Sequence, residues 1–295
     1  MNALGEKTFA SQETESDAPS KETTGDSAAN TKGLFWKILT VIRFEMRRTR
    51  TDARLATWMI MVLFPAGLLA IYRLKAQADP DFEPPNEQAL GLVLYGLIPQ
   101  VVCLLGLLLW VAPVLQAELE GRTWIYLSVR PGGKFATLIG KYLNGVAWTA
   151  SAALLGLTIG MLVGQLQVSQ PLRLWCVMAL LVVISCLAYG AVYSVIGALF
   201  HRRAMVVSVA YILIFEVVVS NLPALINRFT VQHHLINLLY RWMDWKVDKN
   251  NPLELVIGSQ PAWQHVVALV AYTLFMLTAA SLILRRRQYV TSDEH

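Results

Sequence analysis

Glu216, within Ile214-Phe215-Glu216-Val217-Val218, is the residue whose surroundings most favour chemistry. A carboxylate in such a run costs on the order of 3 kcal/mol to place in hydrocarbon, so it must face a bundle interior, line a cavity or carry a proton. Two readings stand: a proton or cation site on a translocation path, and a hydrogen-bonded structural acid at a helix contact. Gln100 and Asn144, polar residues in other apolar blocks, are its candidate partners on such a path. His233-His234 could ligate a metal, yet adjacent histidines on a helix diverge and no nearby carboxylate or thiol completes a set, so no metal site is expected. Gly132-Gly133-Lys134-Phe135 comes nearest to a phosphate-binding loop but lacks the upstream glycine, the following Ser or Thr and a preceding strand. The chain is therefore not expected to hydrolyse ATP by itself. It carries no Gly-x-Ser-x-Gly, His-Glu-x-x-His or Cys-x-x-Cys, so hydrolase and structural-zinc chemistry have no support and no enzyme is expected. Cys103, Cys176 and Cys186 all lie in apolar blocks, which predicts packed thiols rather than a disulfide framework.

The elements that must position these residues are legible in the composition. Of 295 residues, 55% are hydrophobic and only 15% charged, with a mean hydropathy of +0.47. A soluble domain carries roughly 25% charged residues. Six apolar blocks, at about 55–72, 89–115, 142–164, 174–200, 204–226 and 262–284, each approach or exceed the ~20 residues a helix needs to cross ~30 Å of hydrocarbon. The expected fold is an all-α membrane protein of six transmembrane helices. Pro65, Pro99 and Pro113 fall in or near the ends of blocks and predict kinks. Gly156, Gly160 and Gly164, spaced four apart, form a face that permits close helix approach.

Before the first block, Phe35, Ile38, Leu39, Ile42 and Met46 share one face at helical spacing, with Lys37, Thr40, Arg47 and Arg48 opposite. This predicts an amphipathic interfacial helix whose basic residues suit anionic lipid headgroups. Residues 1–32 hold six Asp/Glu and three Lys with no apolar run, the composition of a disordered tail. They lack the basic start and apolar stretch of a signal peptide.

Lys and Arg crowd the side shared by 33–54, 116–141, 201–203 and 285–295. The opposite side carries only Arg73, Lys75, Arg173, Arg228, Arg241, Lys246 and Lys249. Both termini are therefore expected in the cytosol. The net charge of +5 becomes a topology signal, and no nucleic-acid partner is expected. Within the 227–261 connection, Leu235, Ile236, Leu238, Leu239, Trp242 and Trp245 predict a short helix lying at the outer interface or dipping into it.

The cytosolic connection is the most specific segment: Glu118-Leu119-Glu120-Gly121-Arg122-Thr123-Trp124-Ile125-Tyr126-Leu127-Ser128-Val129-Arg130-Pro131, continuing to Ile139-Gly140-Lys141. Thr123 can cap a short helix, Ile125 and Leu127 supply apolar contacts, Pro131 ends it, and Glu118, Glu120, Arg122 and Arg130 present charge. Such a knob suits docking to a partner. The segment resembles the first cytosolic loop of permease subunits of type 2 ABC transporters, in which an acidic residue, Arg-Thr, a short apolar helix, a Pro and a later Gly-Lys precede the third span. Gly132-Gly133 departs from that pattern. The resemblance covers roughly residues 33–287 and implies that Glu118, Glu120, Arg122, Thr123, Leu127, Arg130, Pro131, Gly140 and Lys141 belong to a coupling helix and its base. It also implies a separate ABC ATPase subunit, which binds ATP and Mg, and a second permease chain, identical or different.

The domain plan is a cytosolic tail (1–32), a permease domain (33–287) with a coupling loop at about 116–141 and an outer loop at about 227–261, and a short C-terminus (288–295). The expected function is ATP-driven export of a small molecule, lipid or glycan precursor across a plasma or bacterial inner membrane. No cofactor is expected in this chain. The alternatives are a secondary transporter or channel using Glu216, and a non-transporting membrane scaffold.

Overall fold

A computed structural model describes residues 36, 38–47, 51–79, 85–113, 116, 118, 133–164, 168–200, 202–219, 230–245 and 260–286. Among the described residues every regular element is a helix. In chain order they are α1 (38–47), α2 (Asp52–Ala78), α3 (Glu87–Trp110), α4 (Gly133–Gly164), α5 (Pro171–Leu199), α6 (Ala204–Val218), α7 (Val231–Met243) and α8 (Ala262–Arg286). Five of these, α2, α3, α4, α5 and α8, are long and apolar enough to cross a membrane. They account for five of the six apolar blocks. The sixth, 204–226, is described through residue 219, and α6 within it runs Ala204–Val218. At 1.5 Å per residue α6 is about 22 Å long, short of a ~30 Å hydrocarbon core.

Helices α2 to α5 alternate in direction, and α8 runs the same way as α5. Near one end, Leu138 of α4, Ala198 of α5 and Leu284 of α8 pack together. Near the other, Arg73 of α2 donates to the Val163 carbonyl of α4 at 3.1 Å, and Ser169 donates to Glu87 of α3 at 2.7 Å. We call these the Lys141 end and the Arg173 end. Local chemistry sets several boundaries. Asn86 caps α3 by accepting from the Ala89 N–H at 2.8 Å, and Pro171 opens α5 in the first turn, where its missing N–H is not needed.

Each proline behaves according to its place. Pro113 lies in the turn after α3. Pro99 brings no N–H to the ladder, and α3 passes it as a π-turn over Gly96–Val102 whose Pro99 carbonyl accepts the Ser185 hydroxyl of α5 at 2.8 Å. Pro65 stays inside α2, where its ring faces Gly156. The glycine stripe makes that contact work. A Cβ at Gly156 would meet Pro65 Cγ at 2.9 Å and the Val62 carbonyl oxygen at 3.2 Å, and one at Gly160 would meet Leu69 Cδ1 at 2.8 Å. Packing is thus what Gly156 and Gly160 do, and α2 with α4 forms the most extensive helix pair.

Helix α1 turns a different face to the protein than its apolar stripe alone suggests. Ile38, Val41 and Ile42 are half-buried and Glu45 is buried, while Trp36, Leu39, Arg43, Phe44, Met46 and Arg47 are exposed. The rotation brings Val41 onto Gly140 of α4, where a Cβ would meet Val41 Cγ1 at 2.6 Å.

Gly156→Val should destabilise the protein by about 1–3 kcal/mol through overpacking against the backbone of α2, read as a lower melting temperature in detergent. Gly67→Ala, in α2 with nothing within 4 Å of the added carbon, should leave stability unchanged or raise it by up to about 1 kcal/mol.

Candidate functional site

Two buried polar clusters stand out, one inside the bundle and one at the Lys141 end. The first is built on Glu216, which is 4% exposed. It sits in a second π-turn, Ile212–Val218, the continuation of α6. The wider turn re-aims one residue out of the α-helical register, and such turns recur at functional positions. The carboxylate accepts the Tyr189 hydroxyl of α5 at 2.8 Å on Oε2 and the Tyr211 hydroxyl at 3.0 Å on Oε1. It also accepts the backbone N–H of Gln232, in the first turn of α7.

Around this first ring lies a second. The Tyr272 hydroxyl of α8 bonds that of Tyr211, and Tyr193 of α5 lies within reach of the carboxylate's charge. Tyr95 of α3 donates to the Gln232 carbonyl at 3.3 Å and accepts from the Gln100 side chain in the π-turn of α3. Gln100 and Glu216 therefore belong to one network, joined through Tyr95 and Gln232. Asn144 is buried on α4, at the level where Tyr142 and Val146 pack on Gly190 of α5. Two buried hydroxyls near this region, Tyr193 Oη and Ser208 Oγ, have no hydrogen-bond partner among the described residues.

Helix α7 brings the Gln232 N–H to the site. Its far end is fixed at the Arg173 end of the bundle, where Arg173 donates to the Trp242 carbonyl at 2.7 Å and pairs with Asp244. Asp244 closes the helix in the left-handed region (φ 55°), with the Trp245 N–H returning to the Tyr240 carbonyl at 3.1 Å. The Trp245 ring then lies over Gly91, where any Cβ would approach it to 2.1 Å. From that anchor the thirteen residues of α7 span about 20 Å along α5 and α8. Thr230 caps its inner end by accepting from the His233 N–H at 3.3 Å.

The second cluster joins three segments. Lys141 of α4 is 7% exposed and pairs with Glu118 and, at 3.3 Å, with Glu45 of α1. Glu45 and Glu118 are both buried. A lysine out of water is tolerated beside carboxylates, and breaking such a set by removing one member costs about 3–5 kcal/mol because it strands a buried charge. Gly140 next to it admits Val41, so Gly140 and Lys141 together seat α1 on α4 at the base of the 116–141 connection. Of the other residues singled out there, Glu120, Arg122, Thr123, Leu127, Arg130 and Pro131 lie outside the described residues.

Sequence reasoning named Glu216, Gln100, Asn144, Glu118, Gly140 and Lys141 and did not name Tyr95, Tyr189, Tyr211, Tyr272, Gln232 or Glu45. The signal for the tyrosines was present: a phenol inside an apolar block needs a partner for its hydroxyl. Glu45 stands between Arg43 and Arg47 in sequence, and the helical pattern does not single it out. His265 of α8 also joins His233 and His234, which the sequence alone left as a pair; even so, among the described residues no group of three His, Cys, Asp or Glu is placed to hold a metal ion. Cys103 and Cys186 are buried free thiols that meet between α3 and α5, and Cys176 is exposed. No protein-family model matches the chain, and no curated protein matches it.

Glu216→Ala should lower stability by about 2–5 kcal/mol, since it leaves two phenol hydroxyls and one N–H unmet, whereas Glu216→Gln, which keeps an acceptor, should lose less than half of that; thermal unfolding in detergent reads both. Lys141→Met should lower it by about 3–5 kcal/mol by removing the cation that Glu45 and Glu118 share.

Proposed function

We propose that the chain is the membrane-spanning permease subunit of a type 2 ABC transporter, working with a second permease chain and two copies of a separate ATPase. It sits in a plasma or bacterial inner membrane with α1, the 116–141 loop and both termini on the cytosolic side. Its cargo is a small molecule, lipid or glycan precursor moved outward. The observation that carries this reading is the buried Lys141–Glu45–Glu118 cluster at the base of the loop that resembles a coupling helix.

The physical argument is one of leverage. A docking loop transmits force only if its base is stiff. Glu118, where the loop departs, is tied to Lys141, where it returns, and Lys141 is tied in turn to Glu45 of α1. A push on the loop therefore moves α1 and α4 as one body, and α4 carries α2 with it through Gly156 and Gly160. The nucleotide-driven closure of the partner supplies the differential affinity that biases two arrangements of the bundle. Arg122 and Arg130 present charge to the ATPase, and Thr123, Leu127 and Pro131 shape the docking helix.

A second reading, a secondary transporter or channel working through Glu216, is favoured by the π-turn and the phenol donors gathered around that carboxylate. It expects flux into liposomes without any ATPase, abolished by Glu216→Gln. The permease reading expects no such flux.

Arg122→Glu combined with Arg130→Glu should reduce co-purification of an ABC ATPase encoded beside this chain at least tenfold, with the melting temperature of the permease unchanged. Undiminished co-purification would count heavily against the coupling-loop assignment.

A further inference from the structure

The first turn of α7 places His233 and His234 against His265, one turn into α8. The ring centroids are 5.4 Å apart for His233 and His234, 5.2 Å for His234 and His265, and 6.1 Å for His233 and His265. The closest contact is between nitrogens: His234 Nδ1 lies 2.9 Å from His265 Nδ1. Two imidazoles that meet in this way share a hydrogen bond only if one Nδ1 carries a proton and the other does not. The pair can accept one extra proton on an outer nitrogen and keep the bond, as imidazolium donating to imidazole. A second extra proton sets N–H against N–H and two positive charges in contact.

Among the described residues, the charged groups acting on His265 are cations. His265 is 1% exposed, and its Nε2 is buried with no hydrogen-bond partner among the described residues. On α7, the ionisable groups that face it are His233 and Arg241, both basic. Helix α8 carries no acidic residue and no Lys or Arg before Arg285. On α5, Arg173 is occupied by Asp244 and the Trp242 carbonyl. From α6, Glu216 is engaged by the Gln232 N–H, Tyr189 and Tyr211. Helix α4 meets α8 at the opposite end, beside Leu138 and Leu284. Residues 246–259, which lead into α8, lie outside the described residues.

We propose that His234 and His265 form a proton-operated latch that holds the first turn of α7 on α8 at neutral pH and releases it on acidification. The sign follows from proton counting. The latched pair binds at most one extra proton and the released pair binds two, so lowering the pH favours release. With the ordinary histidine value near 6.5, one additional proton shifts the release equilibrium roughly 30-fold between pH 7.5 and pH 5. Gln232 lies in the same turn, so release also withdraws the N–H that α7 donates to Glu216. The latch thereby links protonation of the histidine pair to the polar network around Glu216.

The test is hydrogen exchange on the full chain in phosphatidylcholine nanodiscs, with rates corrected for the intrinsic effect of pH. Protection over 231–243 should fall about 30-fold from pH 7.5 to pH 5, while residues 146–160 of α4 keep theirs. His265→Gln retains a hydrogen-bonding side chain and removes one titrating ring, so it should flatten the response to about threefold or less. If His265→Gln does not accumulate, His234→Asn probes the same contact from the other helix. Equal wild-type protection at both pH values overturns the latch, as does an undiminished fall in the histidine variants. A fall that survives in those variants and disappears in Glu216→Gln assigns the response to the carboxylate instead.

Discussion

A carboxylate among hydrocarbon side chains persists only where donors surround it, and the arrangement of this bundle follows from meeting that requirement at Glu216. No one helix can supply the donors. Tyr189 comes from α5, Tyr211 from one turn earlier in α6, and the Gln232 N–H from α7, so the site exists only when three elements converge. The last donor has a structural consequence. A backbone N–H is free to serve a side chain only at the start of a helix, which obliges α7 to begin inside the bundle rather than at its edge. The carboxylate, opposite the positive end of that helix, receives a favourable dipole as well as a hydrogen bond.

Close approach is the second condition, and glycines meet it at separate places for the same reason. Gly156 and Gly160 let α2 lie on α4, Gly140 admits α1, and Gly91 receives the Trp245 ring that anchors the outer end of α7. In lipid the apolar faces of helices gain nothing from leaving water, so close packing and satisfied polar groups must hold the bundle. The two act together here. The glycine at 140 seats α1 near enough for Glu45 to reach Lys141, and the ion cluster then fixes the rotation of α1 about its own axis. This is why Glu45 faces inward although it stands among arginines in sequence.

Both π-turns fall where polar chemistry concentrates. In α3 the cause is visible, since Pro99 lacks an N–H and its carbonyl is taken by Ser185. In α6 no proline is present. There the turn accompanies a residue that must point at donors on two other helices, and the wider turn supplies the change in direction. Helix α8 enters the same network through Tyr272 and the histidine contact of α7 through His265, so three helices, α5, α7 and α8, share control of the surroundings of Glu216.

The helical fold, five of the six expected long apolar helices, the packing role of Gly156 and Gly160 and the place of Glu216 in an apolar run could all be read from residue order, because each depends on hydropathy or spacing along one helix. Gln100 was named as a partner and does share the network, though through Tyr95 and Gln232 rather than by direct contact. What could not be read was the identity of the donors, the inward start of α7, the burial of Glu45 and the addition of His265 to His233 and His234. Each joins residues from separate helices, and a periodic pattern carries no information about how one helix is rotated or shifted against another. One sequence settles which residues must be satisfied in hydrocarbon, since that follows from their own chemistry. Which groups satisfy them was decided by tertiary structure, because the rotation and depth of each helix are fixed only when all of them pack.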